Sequence, residues 1–407
     1  MPSLPSRCTA VLAACFVAAC GDGILAPNDP GRQRVHAGND FSCALDAEGR
    51  GWCWGFNSVG QLGNASGELL HNAPSPIAGD RRFRSLGIHG LGRHACAVTT
   101  AGEALCWGEN DFGQLGNGGT DPTTTPVPVS GGHTFQQISA GWRFTCGITE
   151  DRDAYCWGRG VWGQLGDGLA TQSSTPVKVL GGVAFASVQA GTNNLACGLA
   201  IDGAVYCWGL NWRGEVGSST NEFCGNPNAS IECASSPVRV RTSGGSTFRD
   251  VAAGNSYACG VLDNGAMYCW GRNGDGQLGV EAGNDCATSG APDPCLREPV
   301  LVPGGHRFIT VSAGDGHTCG NTEEGPVVCW GRNRFGELGN GSLATTRNSP
   351  EVVRGGLTFV SVSAGRHHTC GATRSGTLYC WGINDFGQLG DGTDHIGLEP
   401  VAVTDPL

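Results

Sequence analysis

The tripeptide Cys-Trp-Gly occurs seven times along this chain of 407 residues, and each copy has another cysteine ten residues upstream. Self-similarity at a period near 50 residues means that one supersecondary unit is repeated. The repeat therefore constrains the fold more than any single motif does. The tripeptides begin at Cys53, Cys106, Cys156, Cys207, Cys269, Cys329 and Cys380, and the upstream partners are Cys43, Cys96, Cys146, Cys197, Cys259, Cys319 and Cys370.

Each repeat contains four short segments that are typical of strands. In one unit these are residues 125–129, 135–140, 144–148 and 154–157, and a glycine-flanked turn follows at 163–166. Proline is tolerated at the start of a strand or at a sheet edge, so we predict that the first, proline-containing segment is an edge strand. That proline recurs at Pro76, Pro126, Pro176, Pro237, Pro299, Pro350 and Pro400.

The turn between the two cysteine strands predicts how the cysteines pair. A three-residue hairpin loop at 47–49 has glycine in the position that favours a left-handed backbone. This loop makes Asp46 face Arg50 and places Cys43 opposite Cys53. If the Asp46/Arg50 pair is hydrogen-bonded, the Cys43/Cys53 pair is not, and its Cα atoms lie ~4.5 Å apart. A disulfide tolerates that separation, and the same register holds in every repeat.

Seven repeats of four strands predict an all-β fold, namely a seven-bladed β-propeller that extends over residues 32–407. The first repeat, at 35–38, lacks a preceding proline strand, and the chain ends with such a strand at 400–403. We therefore predict that the N- and C-terminal strands share one blade and so close the ring. The 69 glycines are well above the usual roughly 7 per cent and suit many tight turns.

The first 20 residues read as an export signal. Arg7 precedes an apolar run at 9–19 that is too short to span a bilayer. The run ends at Cys20 in a sequence that resembles the bacterial lipoprotein signal, which predicts lipidation of Cys20 and a linker at 21–31. The alternative is an ordinary cleaved signal peptide. In either case the chain is secreted across the inner membrane, to the periplasm or to a lipid-anchored site at the outer membrane or cell surface.

In that oxidising compartment, cysteine pairs persist. The remaining mature cysteines form two further pairs, Cys224/Cys233 and Cys286/Cys295. Zinc is the rival interpretation, but the spacing lacks the Cys-x₂-Cys pattern of zinc sites. We expect neither a metal nor a cofactor. The net charge of −11 and the absence of a basic run exclude a nucleic-acid partner.

The repeat Ala-Gly-x-x-His-Thr-Cys, followed by Tyr-Cys-Trp-Gly-x-Asn-x-x-Gly-Gln-Leu-Gly, resembles the regulator-of-chromosome-condensation repeat. The stretches 313–339 and 364–390 match it best, and the resemblance extends over about residues 32–403. It implies a seven-bladed propeller. The cysteine pairs and the export signal depart from the eukaryotic members of the family. Some of its members are guanine-nucleotide exchange factors, and a secreted bacterial β-lactamase inhibitor also has this fold.

The repeats act as an internal control, because a residue that the fold requires should recur. His94, His317 and His368 occupy a position that holds Phe or Leu in other repeats, which indicates packing. The tryptophans of the seven tripeptides are interpreted in the same way. Asp167 and Asp391 alternate with asparagine, so turn chemistry is favoured over calcium binding. No catalytic signature occurs, although a site assembled at the ring axis stays open.

Two consecutive inserts break the repeat. The turns that end at Gly217 and Gly279 are followed by long segments, and each segment contains its own cysteine pair. Pinned loops on a rigid ring are a usual place for binding. We therefore predict a partner-binding patch on these inserts, and the alternative is that they are tolerated surface insertions. The predicted binding residues are Asn221, Glu222, Phe223, Glu232, Asp285 and Asp293.

Three further tryptophans do not recur, and they form a second candidate contact surface: Trp142, Trp162 and Trp212. Together these observations favour a non-enzymatic protein-binding scaffold of the bacterial cell envelope, monomeric and attached to the membrane only through a lipid. The partner is expected to be a protein of the envelope or extracellular space. The alternatives are an inhibitor of a secreted or periplasmic enzyme and, less favoured, a regulator that resembles an exchange factor.

Overall fold

The computed structural model of the chain describes residues 35–225, 231–242, 247–281, 284–286 and 293–404. These ranges contain β-strands and turns, and they hold no helix that could cross a membrane. The strands form seven antiparallel sheets, which are the blades of a β-propeller. The all-β, seven-bladed prediction is therefore confirmed. The predicted export signal with Cys20 and the linker at 21–31 lie outside the described residues.

In the five blades with four strands, the strands follow one another in sequence from the ring axis outward. Blade one contains β1 (Val35–Ala37), β2 (Phe41–Leu45), β3 (Gly51–Phe56) and β4 (Leu70–Pro76). Blade two contains β5 (Phe83–Gly87), β6 (His94–Thr99), β7 (Ala104–Gly108) and β8 (Thr123–Pro128). Blade three contains β9 (Phe135–Ala140), β10 (Phe144–Thr149), β11 (Ala154–Gly158) and β12 (Ser173–Lys178).

Blades four and five each have a fifth, short strand that comes from the predicted inserts. Blade four contains β13 (Phe185–Ala190), β14 (Leu195–Ala200), β15 (Val205–Leu210), β16 (Glu222–Cys224) and β17 (Ile231–Arg239). Blade five contains β18 (Phe248–Ala253), β19 (Tyr257–Leu262), β20 (Met267–Arg272), β21 (Asn284–Asp285) and β22 (Pro294–Leu301). In these blades β16 and β21 pair with the proline strand and lie outside it.

The last two blades return to four strands. Blade six contains β23 (Phe308–Ala313), β24 (His317–Thr322), β25 (Val327–Arg332) and β26 (Thr346–Val352). Blade seven contains β27 (Phe359–Ala364), β28 (His368–Thr373), β29 (Leu378–Gly382) and β30 (Gly397–Ala402). The proline strand is the outer edge of each four-stranded blade, as predicted.

The predicted sharing of one blade by the two terminal strands is wrong. The C-terminal strand β30 pairs with β29 of its own blade, and β1 pairs with β2. The proline strand follows the Cys-Trp-Gly strand of its own blade in the chain and pairs antiparallel with it. Each blade therefore begins one strand later in the chain than expected, with the strand after the proline strand. As a result, each blade is formed by one continuous stretch of chain. The ring closes through side contacts between blades seven and one.

Those closing contacts are hydrogen bonds and an aromatic pair. The backbone N–H of Arg366 donates to the carbonyl of Gly38, at 3.1 Å. The backbone N–H of Ala37 donates to Ser363 Oγ, at 3.0 Å. The rings of Phe56 and Phe386 lie 4.8 Å apart. The joint between the first and last blades is thus built from the same kinds of contact as the other blade junctions.

The hairpin between the cysteine strands has the predicted register. The N–H of Gly49 donates to the Asp46 carbonyl, and Cys43 lies opposite Cys53. The seven blade pairs are at disulfide distance, with Cα atoms 4.0–4.1 Å apart. Arg152, which replaces the turn glycine in blade three, takes the same left-handed conformation, with φ 67°. The backbone of the turn therefore persists even where its usual residue is absent.

The core lies between neighbouring blades and is centred on the seven tripeptide tryptophans, all fully buried. Each indole Nε1 donates to the carbonyl of the Gln or Glu in the turn of the preceding blade, at 2.9–3.0 Å. The final glycine of that turn packs on the indole. At Gly390 an added Cβ would lie 2.5 Å from Trp54 Nε1. The tryptophans are thus structural, as their recurrence predicted.

Candidate functional site

One end of the ring carries most of the irregular chain. Because the strands of a blade are antiparallel, the loop after its first strand and the loop after its third strand emerge at the same end. We call this end the loop face. Both inserts follow third strands, β15 and β20, so they lie on the loop face. The three non-recurring tryptophans also lie in loops of this face.

The recurring histidines are part of the joints between blades. His94, His317 and His368 are buried, and each Nε2 lies 2.8–2.9 Å from a hydroxyl of the next blade: that of Thr145, Thr369 or Ser42. Burial lowers their pKa values to about 3–4, so they are neutral at physiological pH. The hydroxyl residue just before the first cysteine of a repeat was the sequence signal for this bond. Packing was the right interpretation of these histidines, but it missed their hydrogen bonds.

The ring axis contains a polar cavity of about 160 Å³. Its side chains mostly join one inner strand to the next. Asp250 Oδ2 accepts from the N–H of Val311 at 2.9 Å, and Gln137 Oε1 accepts from the N–H of Val188 at 3.0 Å. The carboxylate of Asp250, although it does not recur, therefore has a structural use. The axis supplies joints between blades and no evident catalytic pair among the described residues.

An unpredicted loop covers this axis on the loop face. Cys96 comes thirteen positions after Phe83 in blade two, whereas the corresponding Cys146 comes eleven positions after Phe135 in blade three. The extra length carries Gly90 across the ring to a backbone bridge with Gly365 of blade seven. A Cβ at Gly90 would collide with Thr192 of blade four, so glycine is required at this crossing.

The two inserts are tied to each other by ion pairs across the junction between blades four and five. Arg297 Nη1 of β22 lies 2.8 Å from Glu232 Oε2 of β17. Arg213, in the loop after β15, pairs with Asp293 of the second insert. The same Arg297 donates through Nη2 to the carbonyl of Trp212, at 2.8 Å. The inserts therefore emerge side by side, as expected, and form one connected platform, which we call the insert platform.

Three of the acidic residues predicted to face a partner, Glu222, Glu232 and Asp293, are thus engaged within the chain. Glu232 also accepts hydrogen bonds from Asn211 Nδ2 and from the N–H of Thr220, at 2.7 and 2.9 Å. Glu222 Oε2 accepts from the N–H of Ser235, at 2.9 Å. These carboxylates hold the insert hairpin in shape.

Phe223, the apolar residue predicted to bind a partner from the first insert, is exposed to solvent. Phe223 is 63 % exposed, although the flanking Cys224 is buried in its disulfide with Cys233. Asn221 is exposed beside it. The second insert is pinned in the same way by Cys286 and Cys295, and Asp285 pairs through its backbone with Pro294. Glu222 lies near the Cys224 and Cys233 sulfurs, but a disulfide leaves no thiolate to bind a metal.

Turn chemistry explains the acidic and amide residues after each Leu-Gly. Asp167 Oδ1 accepts from the N–H of Leu169 at 3.1 Å, and Asp391 Oδ1 accepts from the N–H of Thr393 at 3.0 Å. Asn64, Asn117 and Asn340 make the same bond to the N–H two residues on. The shared geometry favours a turn over a calcium site at these positions.

The three non-recurring tryptophans do not come together. Trp212 stacks on its neighbour Arg213, with 4.4 Å from the guanidinium carbon to the ring centroid. Trp162 packs against Gly225, which follows β16 in the first insert. Trp142 lies under two guanidinium groups in blade three. No ring contact joins any two of them within the described part of the chain, so the single aromatic surface predicted from sequence is not formed.

A cluster of arginines and aromatic rings lies instead where blades two and three meet. Arg143 and Arg159 both stack on Phe112 and Trp142, with 4.9–5.7 Å from guanidinium carbon to ring centroid. Arg93 is on the neighbouring loop of blade two. We call these five residues the arginine–aromatic cluster. Sequence reasoning identified only Trp142, because the stacking of Arg159 and Phe112 on the same site depends on how separate loops meet.

Comparison with known proteins places the repeat in context. Two sequence profiles, both described as the regulator of chromosome condensation (RCC1) repeat, match this chain. One matches residues 34–61, 135–164, 248–277, 308–337 and 359–388. The other matches 101–148, 153–197, 202–261, 264–320, 324–372 and 375–407. Together they extend over most of the described ring.

Individual relatives agree with the profiles. The ultraviolet-B receptor UVR8 of Arabidopsis thaliana is 30% identical over 382 residues, which are 91% of this chain and 70% of the receptor. The E3 ubiquitin-protein ligase HERC2 of Homo sapiens is 26% identical over 362 residues, 88% of this chain but 6% of the ligase. The crystal structure of Prp20p from Saccharomyces cerevisiae superposes with a TM-score of 0.70 and 21% identity, over 82% of this chain and 80% of that one.

Proposed function

Since the chain belongs to the regulator of chromosome condensation repeat family, we propose that it is a non-enzymatic protein-binding scaffold whose partner docks on the loop face. Prp20p has binding properties to Gsp1p and histones, which gives a precedent for protein binding by a propeller of this shape. The compartment differs here: nine cysteine pairs at disulfide distance suit an oxidising environment. We propose that the scaffold resides in the bacterial envelope, held by a lipid on Cys20 at the end of the predicted export signal.

The observation that carries this proposal is the insert platform. Surface loops usually vary in position, but here one disulfide pins each insert. Two ion pairs then join the adjacent inserts to one another. A fixed surface loses little conformational entropy on binding, which favours affinity. The platform exposes Phe223 at its edge, and exposed aromatic side chains in a rigid setting often contribute most of an interface's energy.

The test is affinity capture with the full-length chain, expressed with a C-terminal tag in its native host. We expect a protein partner that the intact chain retains and that is lost when both inserts are shortened to the length of the other repeats. Phe223→Ser should weaken capture with the fold unchanged. Leu343→Ser, which alters another exposed apolar side chain, in blade six, is the matched control and should not affect it.

Two outcomes would change the proposal. Capture by the shortened variant at full strength would move the binding site away from the insert platform. Capture of nothing by the intact chain would contradict the scaffold role. If the captured partner is a secreted enzyme that loses its activity in a one-to-one complex, the alternative function of an inhibitor is established in place of a passive scaffold.

A further inference from the structure

The arginines of the described chain separate into two groups by their partners. Among the partly buried arginines, all but three have a carboxylate oxygen within 4.0 Å, as in the Arg332–Asp315 and Arg297–Glu232 pairs. The three exceptions are Arg93, Arg143 and Arg159. All three belong to the arginine–aromatic cluster. The partly buried arginines without a carboxylate partner are thus concentrated at one place in a protein whose net charge is −11.

The side chains of the cluster are held in place without being saturated. Arg159 Nη1 donates to Asn194 Oδ1 at 2.9 Å, and Arg93 Nη2 donates to Ser58 Oγ at 2.5 Å. The Nε of Arg143 is buried and has no hydrogen-bond partner. A guanidinium has five N–H donors, so most of the donors in this cluster are unused by the protein.

The two stacked guanidinium groups also repel one another. Burial lowers the pKa of Arg159, and the nearby charge of Arg143 lowers it further. Glu109 interacts with the cluster: burial raises its pKa, and the charges of Arg143 and Arg93 oppose that rise. Burial likewise raises the pKa of Asp40, and the charge of Arg93 is one of those that oppose it. No oxygen of Glu109 lies within 4.0 Å of these arginines. The positive charge of the cluster is therefore only partly compensated inside the chain.

The backbone at Arg143 adopts an energetically unfavourable conformation. Its φ is 62°, a left-handed conformation that non-glycine residues rarely adopt. The flanking hydrogen bonds maintain it: the N–H of Gly141 donates to the Phe144 carbonyl at 2.9 Å, and the N–H of Trp142 donates to the Gly191 carbonyl at 3.1 Å. Local strain in a well-tied loop occurs often at binding sites.

We propose that the arginine–aromatic cluster binds a carboxylate of an acidic segment in the partner protein, an inference that rests on the proposed function. Arginine forks match carboxylates with two parallel hydrogen bonds, and the rings of Phe112 and Trp142 keep the guanidinium groups oriented. Glu109 beside the cluster favours one singly charged carboxylate over a doubly charged phosphate. The loop after β11 carries both Arg159 of the cluster and Trp162, and Trp162 packs on Gly225 of the first insert.

The test is calorimetric titration of the full-length chain in mild detergent with an acetylated, amidated pentaglutamate peptide. We expect binding, and at least tenfold weaker binding of the matching pentaglutamine peptide. Arg143→Gln and Arg159→Gln should each weaken the pentaglutamate complex at least tenfold. Arg334→Gln removes an exposed, unpaired arginine from blade six of the same face and should leave binding unchanged. Arg143→Lys keeps the charge but not the fork and should restore only part of the affinity.

Several results would overturn the proposal. One is the absence of pentaglutamate binding at millimolar peptide concentration. Another is unchanged pentaglutamate affinity in the Arg143→Lys and Arg159→Gln variants, provided that circular dichroism shows both to be folded. Inorganic phosphate binding as tightly as pentaglutamate would reassign the cluster to small anions. A dimer seen in sedimentation and dissolved by Arg143→Gln would make the occupant a second copy of this chain. A partner captured through the insert platform without peptide binding would contradict this inference alone and leave the scaffold role standing.

Discussion

The indole Nε1 of Trp54 donates a hydrogen bond to the carbonyl of Gln388 at 3.0 Å, and these residues belong to the first and last blades. The same carbonyl accepts from Ser42 Oγ, at 2.9 Å. Blades six and seven are joined identically, through Trp381 and Thr369 on the Glu337 carbonyl. The ring is thus closed by an ordinary blade junction rather than by a strand exchanged between its ends.

This equivalence predicts equal effects of one substitution at two junctions. Trp54→Phe and Trp381→Phe each remove an indole donor and leave a buried carbonyl with one partner. We expect each to lower the free energy of unfolding by about 1–3 kcal/mol. Urea denaturation measures both. A much smaller effect of Trp54→Phe would mean that the closing junction is weaker than the structure shows.

The blade disulfides should matter more for global stability than the insert disulfides. Cys197 and Cys207 are fully buried, so replacing both with alanine loses cross-linking and packing, and we expect a loss of about 3 kcal/mol or more. Cys224→Ala with Cys233→Ala removes a loop of similar length at the periphery. It should change global unfolding by less than about 1 kcal/mol and raise hydrogen exchange in the insert hairpin. Equal losses of global stability in the two double variants would contradict this prediction.

Two buried glutamates in the same position of the repeat should respond to pH in opposite directions. Burial raises the pKa of Glu215 to about 7, and its Oε1 has no hydrogen-bond partner. A carboxyl with a raised pKa contributes stability that is complete below its unfolded pKa and is lost as pH rises through 7. Glu215→Gln should therefore stabilise the chain above pH 7, by roughly 3 kcal/mol at most, and flatten its stability over pH 4.5–8.

Glu337 is the matched control in blade six. Burial opposes its ionisation, but the His367 ring, whose Nδ1 lies 3.7 Å from Oε1, and the backbone N–H of Phe335, which donates to Oε2 at 2.8 Å, help to lower its pKa overall. Arg332 Nε lies 3.5 Å from Oε1. The ionised Glu337 therefore stabilises the fold at neutral pH, and this stabilisation is lost as pH falls through the lowered pKa. Glu337→Gln should destabilise the chain at pH 7. Thermal denaturation across pH distinguishes the two variants, and the same sign for both at pH 8 would contradict the assignments.

The ion pairs of the insert platform should order both inserts together. Arg297→Gln removes the bond to Glu232 and the bond to the Trp212 carbonyl, and we expect faster hydrogen exchange in β16 and β17 of blade four as well as in blade five. Because Arg297 is partly exposed, global stability should fall by only about 1 kcal/mol or less. Arg347→Gln breaks a local pair with Glu351 and serves as control. An increase in hydrogen exchange confined to blade five would show that the two inserts are ordered independently.

Lipidation of Cys20 is a separate prediction from the export signal. Cys20→Ser should abolish incorporation of a labelled fatty acid and move the protein from the membrane to the soluble fraction. Because the lipid on Cys20 is the expected anchor, the shift should be large if the mature chain has no other membrane contact. Unchanged membrane association with loss of label would indicate a second membrane contact. Unchanged labelling would show that Cys20 is not the modified residue.

Much of the fold could be predicted because local chemistry repeats. Gly49 in its hairpin determines a register, and that register alone places Cys43 opposite Cys53. Recurrence also separated residues that the fold requires, such as Trp54, from those specific to one blade. The point in the repeat at which one blade ends and the next begins was not predictable in the same way. A proline strand can pair with the strand before it or close a ring from the other end, and the local pattern is the same in both cases.

The candidate site divides along the same line. The sequence by itself determined the strands, the cysteine register and the position of the two inserts, because these depend on neighbouring residues and turn geometry. Only the tertiary structure decided that Glu232 pairs with Arg297, and that Arg143 and Arg159 share the rings of Phe112 and Trp142. Those contacts join different loops and blades, and their distances follow from how the blades pack around the axis. Charge pairing in space, rather than composition, therefore decides which arginines are left open to a partner.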